Sequence, residues 1–532
     1  MEAARGGDTR TGMLGRMEQR TRSWWGWGWT GEAMADEACS ALAAGLPGCA
    51  TTPVPVPVVP GLRAPRTAPP AALAGLCTAD PAVRAGHTYG KAFRDVVRAL
   101  DGDLSGAPDV VVLPRTEDDV AAVLDWAGDA GVAVVPYGGG SSVVGGTEYR
   151  GDGPWVSLDL TRLDRVLEVD ATSRAARVQG GTLGPCLEDQ LRPHGLTMRH
   201  FPQSFEFSTV GGWLATRSGG HYAMGRTHVD DFVESLRVVT PVGVSESWRL
   251  PASGAGPSPD RLFLGSEGAL GVITEAWLRV QRRPEHRASA AVRFVRFPDA
   301  LAAVREIAQS GVTLANCRLL DHGEAHFSGA ASGGHAVLVL GAESAHGPVD
   351  VAGPLEIALA HGGVVEEEPA DGRDGAVASW RSAFLRMPYL RDGLTRCGAI
   401  VETFETACTW DTAAVLVEAV RTEVGAAVRE VCGVEGIVNC RLTHLYPDGP
   451  APYFTVLAGG RPGMQLGAWD EIRAAATEVL ARHRATITHH HAVGRDHRPG
   501  YDRQRPDLFA ASLRAVKDVL DPRGVLNPGV LV

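Results

Sequence analysis

The sequence predicts an α+β protein in which an α+β domain is followed by a second, α/β domain, both behind an N-terminal extension. Three observations predict this. The chain has 532 residues, too many for one hydrophobic core, so two or three domains are expected. Residues 107–283 open as strand–helix–strand and then become strand-rich, whereas the stretch from 284 onward alternates longer helices and strands. Residues 1–106 follow neither pattern and are read as a partly disordered extension.

Taken in order, residues 1–22 are polar, arginine-bearing and without apolar periodicity, which predicts disorder. Trp24 to Trp29 read WWGWGW, an aromatic cluster suited to pin the N-terminus to the body. TTPVPVPVVPG, within 51–70, predicts an extended linker or edge segment. PDVVVLPRT is a buried strand ended by Pro114. TEDDVAAVLDWAGDAG is a helix with Thr116 as N-cap and acidic residues in its first turn, where they meet the positive end of the helix dipole. VAVVPYGGGSSVVGG is a strand feeding a glycine-rich turn. WVSLDL, RVLEVD, AARVQG, ESLRVVTPVG and GVITEAWLRV are β-branched strands. In the second domain PDALAAVREIAQSG, TAAVLVEAVRTEVGAAV and WDEIRAAATEVLARH are helices, while HAVLVLGAE, GAIVETFET and YFTVLAG are strands. The tail LRAVKDVLDPRGVLNPG is a helix followed by a Pro-Gly turn.

Composition removes several function classes. Hydrophobic residues at 44% and charged residues at 21% are those of a soluble globular protein. A net charge of −11 argues against a general nucleic-acid binder, which needs a basic face to displace counterions. No apolar run is long enough for a transmembrane helix. The nine cysteines are scattered without a CxxC pair, against a zinc knuckle or a thioredoxin-like motif. Their odd number, with no signal-peptide pattern, predicts a reducing cytoplasm. Lysine occurs only at 91 and 517, a base-composition bias expected of a GC-rich bacterial genome.

Three Gly/Ser/Thr-rich stretches carry the first chemistry. PYGGGSSVVGG follows a strand, and glycines there let backbone N–H groups close on phosphate oxygens because no Cβ blocks the approach. It is neither a Walker A loop nor GxGxxG opening a helix. PQSFEFSTVGGWLATRSGG and GSEGALGVIT repeat the mix. Spread over the first domain, the three suggest one extended ligand lying between strands, such as a dinucleotide.

Near the C-terminus the chain reads ITHHHAVGR, with His489, His490 and His491 in a row. A metal site, a pH switch, a proton relay and a polar turn are all open. On one strand adjacent side chains point to opposite faces, so three consecutive imidazoles do not readily close on a single ion. No metal is expected.

PYGGGSS, PQSFEFSTVGGW and GSEGALGVITEA, in that order and spacing, resemble the flavin domain of the vanillyl-alcohol-oxidase superfamily. WGWGW, HFPQSFEFSTVGGW, RLLDHGEAHF, VETFETACTWD and THHHAVGR narrow the likeness to the alkyldihydroxyacetonephosphate synthase (alkylglycerone-phosphate synthase) family. The resemblance covers residues from about 107 to the C-terminus. It implies a two-subdomain PCMH-type FAD-binding domain over 107–283 and a cap, or substrate, domain with the C-terminal segment over 284–532. It also implies non-covalent FAD and exchange of the acyl group of acyl-dihydroxyacetone phosphate for a long-chain alcohol, the ether-forming step of ether-lipid synthesis.

Carried over position by position, the flavin contacts fall on Pro136, Tyr137, Gly138, Gly139, Gly140, Ser141 and Ser142; on Gln203, Ser204, Phe205, Glu206, Phe207, Ser208 and Thr209; on Thr216, Arg217, Ser218 and Gly219; and on Glu267, Gly268, Ala269, Leu270, Gly271, Val272 and Ile273. His200 matches a family histidine near the flavin. Tyr453 matches the family's catalytic tyrosine, and His489, His490 and His491 are expected to join it. A tyrosine of ordinary pKa is a poor base at neutral pH, so His491 is expected to take its proton. Arg391 and Arg318 match substrate arginines, whose planar fork suits phosphate. Thr403 stands where the family has serine, and Arg495 where it has lysine.

The rival reading is an FAD-dependent D-2-hydroxy-acid dehydrogenase of the same superfamily. Those enzymes resemble each other in a His-x-Gly-Asp-Gly-Asn-x-His stretch, where this chain has CRLTHLYPDGPAPYF. As partners the resemblance implies a lipid-like phosphate and an alcohol, a homodimer and contact with a membrane surface, without nucleic acid.

Overall fold

The structure, a computed structural model, describes residues 20–222, 224, 228–331, 334–365 and 376–532, with the side chains of 376–384 left aside. Of the stretch read as disordered, residues 1–19 lie outside the described residues. Arg22 lies inside and is ordered: it bridges to Trp29, and its guanidinium sits 3.8 Å from the Phe207 ring centroid.

The first sheet joins β1 (Cys77–Thr78), β2 (Val110–Val112), β3 (Ala133–Tyr137) and β4 (Trp155–Asp159) in the order β1-β2-β4-β3, with β2 and β3 parallel to β4. The helix Glu117–Ala130 packs on it through Val120, Val123, Leu124 and Ala127, the i, i+3, i+4, i+7 positions of one face. Thr116 caps it as expected: its hydroxyl accepts from the Asp119 N–H, and the Asp119 carboxylate accepts from the Thr116 N–H.

The second sheet is antiparallel. It takes β5 (Val166–Asp170), β6 (Ala175–Gln179), β8 (Val233–Thr240), β9 (Gly243–Glu246) and β10 (Val272–Arg279) in the order β5-β6-β10-β8-β9, while β7 (Leu196–Thr197) pairs with β11 (Gln281–Arg282). The tail returns to these sheets: Asn527 donates to the Val134 carbonyl on β3, and Val530 and Leu531 join the core under β8 and β10.

The third sheet has seven strands: β12 (His286–Phe294), β13 (Asn316–Leu320), β14 (Ala336–Ser344), β15 (Val364–Val365), β16 (Ile400–Glu405), β17 (Ile437–Leu445) and β18 (Pro450–Ala458). Their order is β15-β12-β14-β13-β17-β18-β16, and every pair is antiparallel. Helix–strand alternation in this stretch therefore does not mark parallel βαβ crossovers; the longer helices gather on one face, while the short helix His322–Ser328 packs on the other through Ala325. Phe404, Phe454, Cys440 and Leu442 point to that face, where they meet Leu416, Val420 and Ile472. The period of two turns Thr403, Glu405, Tyr453, Thr455 and Arg441 to the other face, so this sheet buries a polar surface.

The tryptophan cluster is an anchor. Trp25 packs on Val96 and Ala99, and Trp27 and Trp29 meet Phe207 edge-on at 5.4 and 5.3 Å. Among the described residues no helix is long and apolar enough to cross a membrane.

Candidate active site

A cavity of about 800 Å³ lies between the first two sheets and the polar face of the third. Residues 136–142 from the end of β3, Gln203, Ser204, Ser208 and Thr209, the helix Val210–Thr216, and Gly268 and Gly271 form one wall. Glycine is required where these segments meet. A Cβ on Gly139 would stand 1.7 Å from the Phe207 carbonyl oxygen, one on Gly138 2.2 Å from the Thr209 hydroxyl, and Gly140 has φ of +64°. These glycines thus serve the contact between two protein segments first. Among the described residues no group accepts the N–H of Gly139, Gly140 or Ser141, which line the cavity. Free backbone donors in a glycine cradle are the donor set that a pyrophosphate takes, so FAD fits this wall.

Of the residues expected at the flavin, Pro136 to Ser142, Gln203, Ser204, Ser208, Thr209, Thr216, Ser218, Gly219, Glu267, Gly268, Gly271, Val272 and Ile273 line the cavity. Others stand behind it. His200 is 1% exposed and bonds the Ser218 hydroxyl at 2.8 Å. Phe205 stacks beside Trp213, Glu206 accepts from the Trp29 indole, and Phe207 packs under Trp27 and Trp29. Arg217 pairs with Asp230, the Ala269 carbonyl accepts from Lys517, and Leu270 is core. Alternation within a loop separates ligand contacts from their supports, and matching by position does not. Glu267 lines the cavity, but its carboxylate accepts the N–H groups of Val493 and Gly494 and so ties the flavin wall to the histidine run.

The histidine run is a turn, not a strand. Its organiser is Glu405 on β16, missed from the sequence. That buried carboxylate accepts from the Thr488 hydroxyl at 2.6 Å, from the N–H groups of His490 and His491 at 3.1 and 2.8 Å, and from the N–H of His489. Burial alone would raise its pKa; His491, His489 and these donors overcome that and hold it down at about 2. The strand argument against three clustered imidazoles therefore fails on geometry: the His489 and His490 rings lie 5.2 Å apart, and those of His490 and His491 4.7 Å. Burial first lowers the pKa of all three, with other imidazoles adding to it at His489 and His490 and Arg473 and Arg441 at His491, so at neutral pH they are uncharged.

Tyr453, on β18, is paired in register with both Glu405 and Arg441. The Arg441 guanidinium lies 3.8 Å from its ring centroid and pairs with Glu324 at 2.8 Å. His491 meets Tyr453 edge-on, with ring centroids 5.5 Å apart, and His490 lies parallel at 6.3 Å. The side chain that hydrogen-bonds the Tyr453 hydroxyl is Thr403. Burial raises the tyrosine's pKa, and Arg441 and Thr403 pull it only partly back, so the hydroxyl is protonated. His489 does not line the cavity; His490 and His491 do.

Arg391, Arg318 and Thr403 all reach the cavity. Arg391 is already held: Nε and Nη2 donate to Asp392 and Nη1 to the Lys91 carbonyl, while Trp27 N–H braces Asp392 at 2.6 Å. Of its five N–H bonds, two on the outer edge remain. Arg318 donates to the His221 carbonyl at 2.6 Å, and burial, with Arg441 beside it, lowers its pKa to about 9. Arg495 ties the turn to the Gly145 and Pro528 carbonyls and Asn527. Leu42, Leu46, Met387, Leu394, Val401 and Leu457 give the cavity an apolar part that no motif announced.

A glycine cradle and a buried polar sheet face across one cavity define a flavoenzyme. Residues 108–246 match the FAD binding domain family and residues 283–531 the C-terminal domain of FAD linked oxidases. FAD is its cofactor. Alkyldihydroxyacetonephosphate synthase of Dictyostelium discoideum is 30% identical over 478 residues, 85% of this chain and 78% of that protein. A solved structure of alkyldihydroxyacetonephosphate synthase superimposes with a TM-score of 0.78 at 25% identity, covering 95% of this chain and 98% of the other. The mitochondrial D-lactate dehydrogenase [cytochrome] of Arabidopsis thaliana is 36% identical, but over 216 residues, 40% of this chain and 37% of that protein. The chain belongs to the alkyldihydroxyacetonephosphate synthase family.

Proposed function

We propose that the chain exchanges the acyl group of acyl-dihydroxyacetone phosphate for a long-chain alcohol in this cavity. The observation that carries the reading is the union, in one cavity, of a glycine cradle, an apolar lining and a polar face bearing Tyr453, His490 and His491. FAD, held by the glycine cradle, would supply an electrophilic ring to the exchange. A non-covalent FAD is supported by His200 being buried behind the wall, away from the cavity lining.

The protein's own part is binding and proton handling. The outer edge of Arg391 and the guanidinium of Arg318 attract the phosphate. The apolar lining takes the acyl and alkyl chains and excludes water. His490 and His491, neutral, are the ready bases, and Tyr453, protonated, donates a hydrogen bond to the departing or incoming oxygen. Arg441 over its ring favours charge building on that oxygen. The dehydrogenase reading is weaker: the D-lactate dehydrogenase match covers 40% of this chain, whereas the Dictyostelium synthase is 30% identical over 85% of it.

The test is incubation of the FAD-loaded protein with acyl-dihydroxyacetone phosphate and hexadecanol, with mass analysis of the products. The alkyl ether and one free fatty acid are expected. Absence of ether, together with flavin bleaching by D-lactate or D-2-hydroxyglutarate, would replace this reading with the dehydrogenase.

A further inference from the structure

Acyl-for-alkyl exchange has a proton balance that the cavity must meet. One C–O bond breaks and the acyl group leaves as carboxylate; one C–O bond forms and the alcohol loses its O–H proton. At neutral pH the carboxylate keeps no proton, so each turnover releases one. That proton starts in a largely apolar cavity and has to reach water.

Behind His490 the structure holds a chain of imidazoles. His490 Nδ1 lies 3.0 Å from His489 Nδ1. On its far side, His489 Nε2 lies 3.1 Å from His228 Nε2 and 2.7 Å from the Tyr446 hydroxyl. His228 Nδ1 faces the Arg217 carbonyl at 3.2 Å. His228 and Tyr446 are half-buried, and Tyr446 lines a second cleft of about 910 Å³ that shares no lining residue with the first. His490 lines the first cavity and His489 does not, so His489 is the link between them.

The hydrogen bonds set the tautomers. A carbonyl only accepts, so His228 carries its proton on Nδ1 and offers a lone pair at Nε2. With that lone pair facing it, His489 donates from Nε2, the Tyr446 oxygen being a second acceptor there, and accepts at Nδ1. His490 in turn donates from Nδ1, which leaves its Nε2 lone pair for the cavity. The low pKa of His489 and His490, caused first by burial, keeps both neutral between turnovers.

We propose that His490, His489 and then His228 or Tyr446 form a proton path from the active cavity to the outside. This rests on the transferase reading above and assigns positions that it left without a task. His490 Nε2 takes the proton released in the cavity, and the N–H bond on its Nδ1 breaks as one forms on His489 Nδ1. His489 passes its Nε2 proton to His228 Nε2, and the imidazolium so formed releases a proton to water, or to the Tyr446 oxygen as that phenol gives up its own O–H proton to water in the second cleft. One proton enters and one leaves, with no oxidant or reductant. His489 and His228 touch neither substrate nor flavin here; they are positioning and relay residues.

The experiment compares the FAD-loaded wild type with His489→Ala and His228→Ala, following ether formation against imidazole concentration at fixed pH and ionic strength. In His489→Ala at low buffer, kcat should fall by ~10²-fold or more, the lower end of the range for assisted proton transfer. Imidazole should restore it, the KM for acyl-dihydroxyacetone phosphate should stay level, and the wild type should be indifferent to buffer. His228→Ala should fall less, because Tyr446 offers a second exit. A loss in His489→Ala that imidazole does not repair, or no loss, would overturn the path. Nitrogen-15 NMR of histidine-labelled holoprotein keeps the claim testable without turnover. It should show His489 protonated at Nε2 and His490 at Nδ1. The opposite tautomers, or stoichiometric metal on His444, His489 and His490, whose ring nitrogens lie close enough to share one ion, would overturn the path. A wild type that forms no ether but shows the expected tautomers would refute the function alone.

Discussion

Tyr453 sits between Arg441, 3.8 Å from its ring centroid, and the rings of His490 and His491. Burial raises its pKa, so in the proposed exchange the hydroxyl serves as a donor and the imidazoles as the bases. Tyr453→Phe should keep FAD, since the ring still fills its place, and lose turnover by ~10²-fold or more; a loss below about tenfold, read from ether formation, would deny it a part in proton handling. Glu405 makes the pH prediction. Its usual pKa of 4.5 falls to about 2 in the fold, so the unfolded chain binds its proton first as pH drops. The stability it contributes is complete above about 4.5 and is lost as pH falls toward about 2. Glu405→Gln should therefore melt below the wild type at neutral pH, and the gap in Tm should narrow across that window. A gap independent of pH would contradict the charged-carboxylate account. Arg391→Ala should raise KM, and Arg391→Lys should restore it only in part, because a point charge does not reproduce the outer edge of a guanidinium that Asp392 already orients. Equal KM in all three would remove Arg391 from the site.

At the scale of elements, the glycine-rich stretches are short-range features, and their use as a cradle could be read from composition and spacing. So could the Thr116 cap, whose partners lie within one helical turn. Glu405 and Arg441 could not: their importance comes from cross-strand register with Tyr453 and from a turn some 85 residues on, neither of which leaves a local mark. For the same reason the turn in the histidine run was legible as a motif but not as a shape. The reason for Gly139 also changes with the structure. A side chain there strikes Phe207 and Ser208 before it reaches any ligand. Gly139→Val should thus lower both FAD content and Tm, whereas Gly61→Ala, at a site with open space, should change neither. Full flavin occupancy and an unchanged melting curve in Gly139→Val would contradict the packing seen between residues 139 and 207.

Across the whole molecule, the chain's two ends close the site. The tryptophan cluster braces Asp392 and through it Arg391, while the tail returns to β3 and holds the turn after the histidines through Arg495. The α+β class and its flavin wall were legible because glycine patterns and strand periodicity survive in sequence; the antiparallel pairing of the third sheet was not, since helix–strand alternation does not encode strand direction. Acid precipitation should release all of the FAD, and flavin kept in the pellet would refute the non-covalent reading. The central claim is that a flavoprotein fold here runs a transfer with no net oxidation. It is tested most directly by anaerobic turnover without any electron acceptor, using acyl-dihydroxyacetone phosphate and hexadecanol deuterated at its hydroxyl-bearing carbon. Many turnovers are predicted, with one labelled ether formed per fatty acid released, both deuterons retained and the flavin oxidised at the end. Cessation after a single turnover with the flavin left reduced would contradict the account.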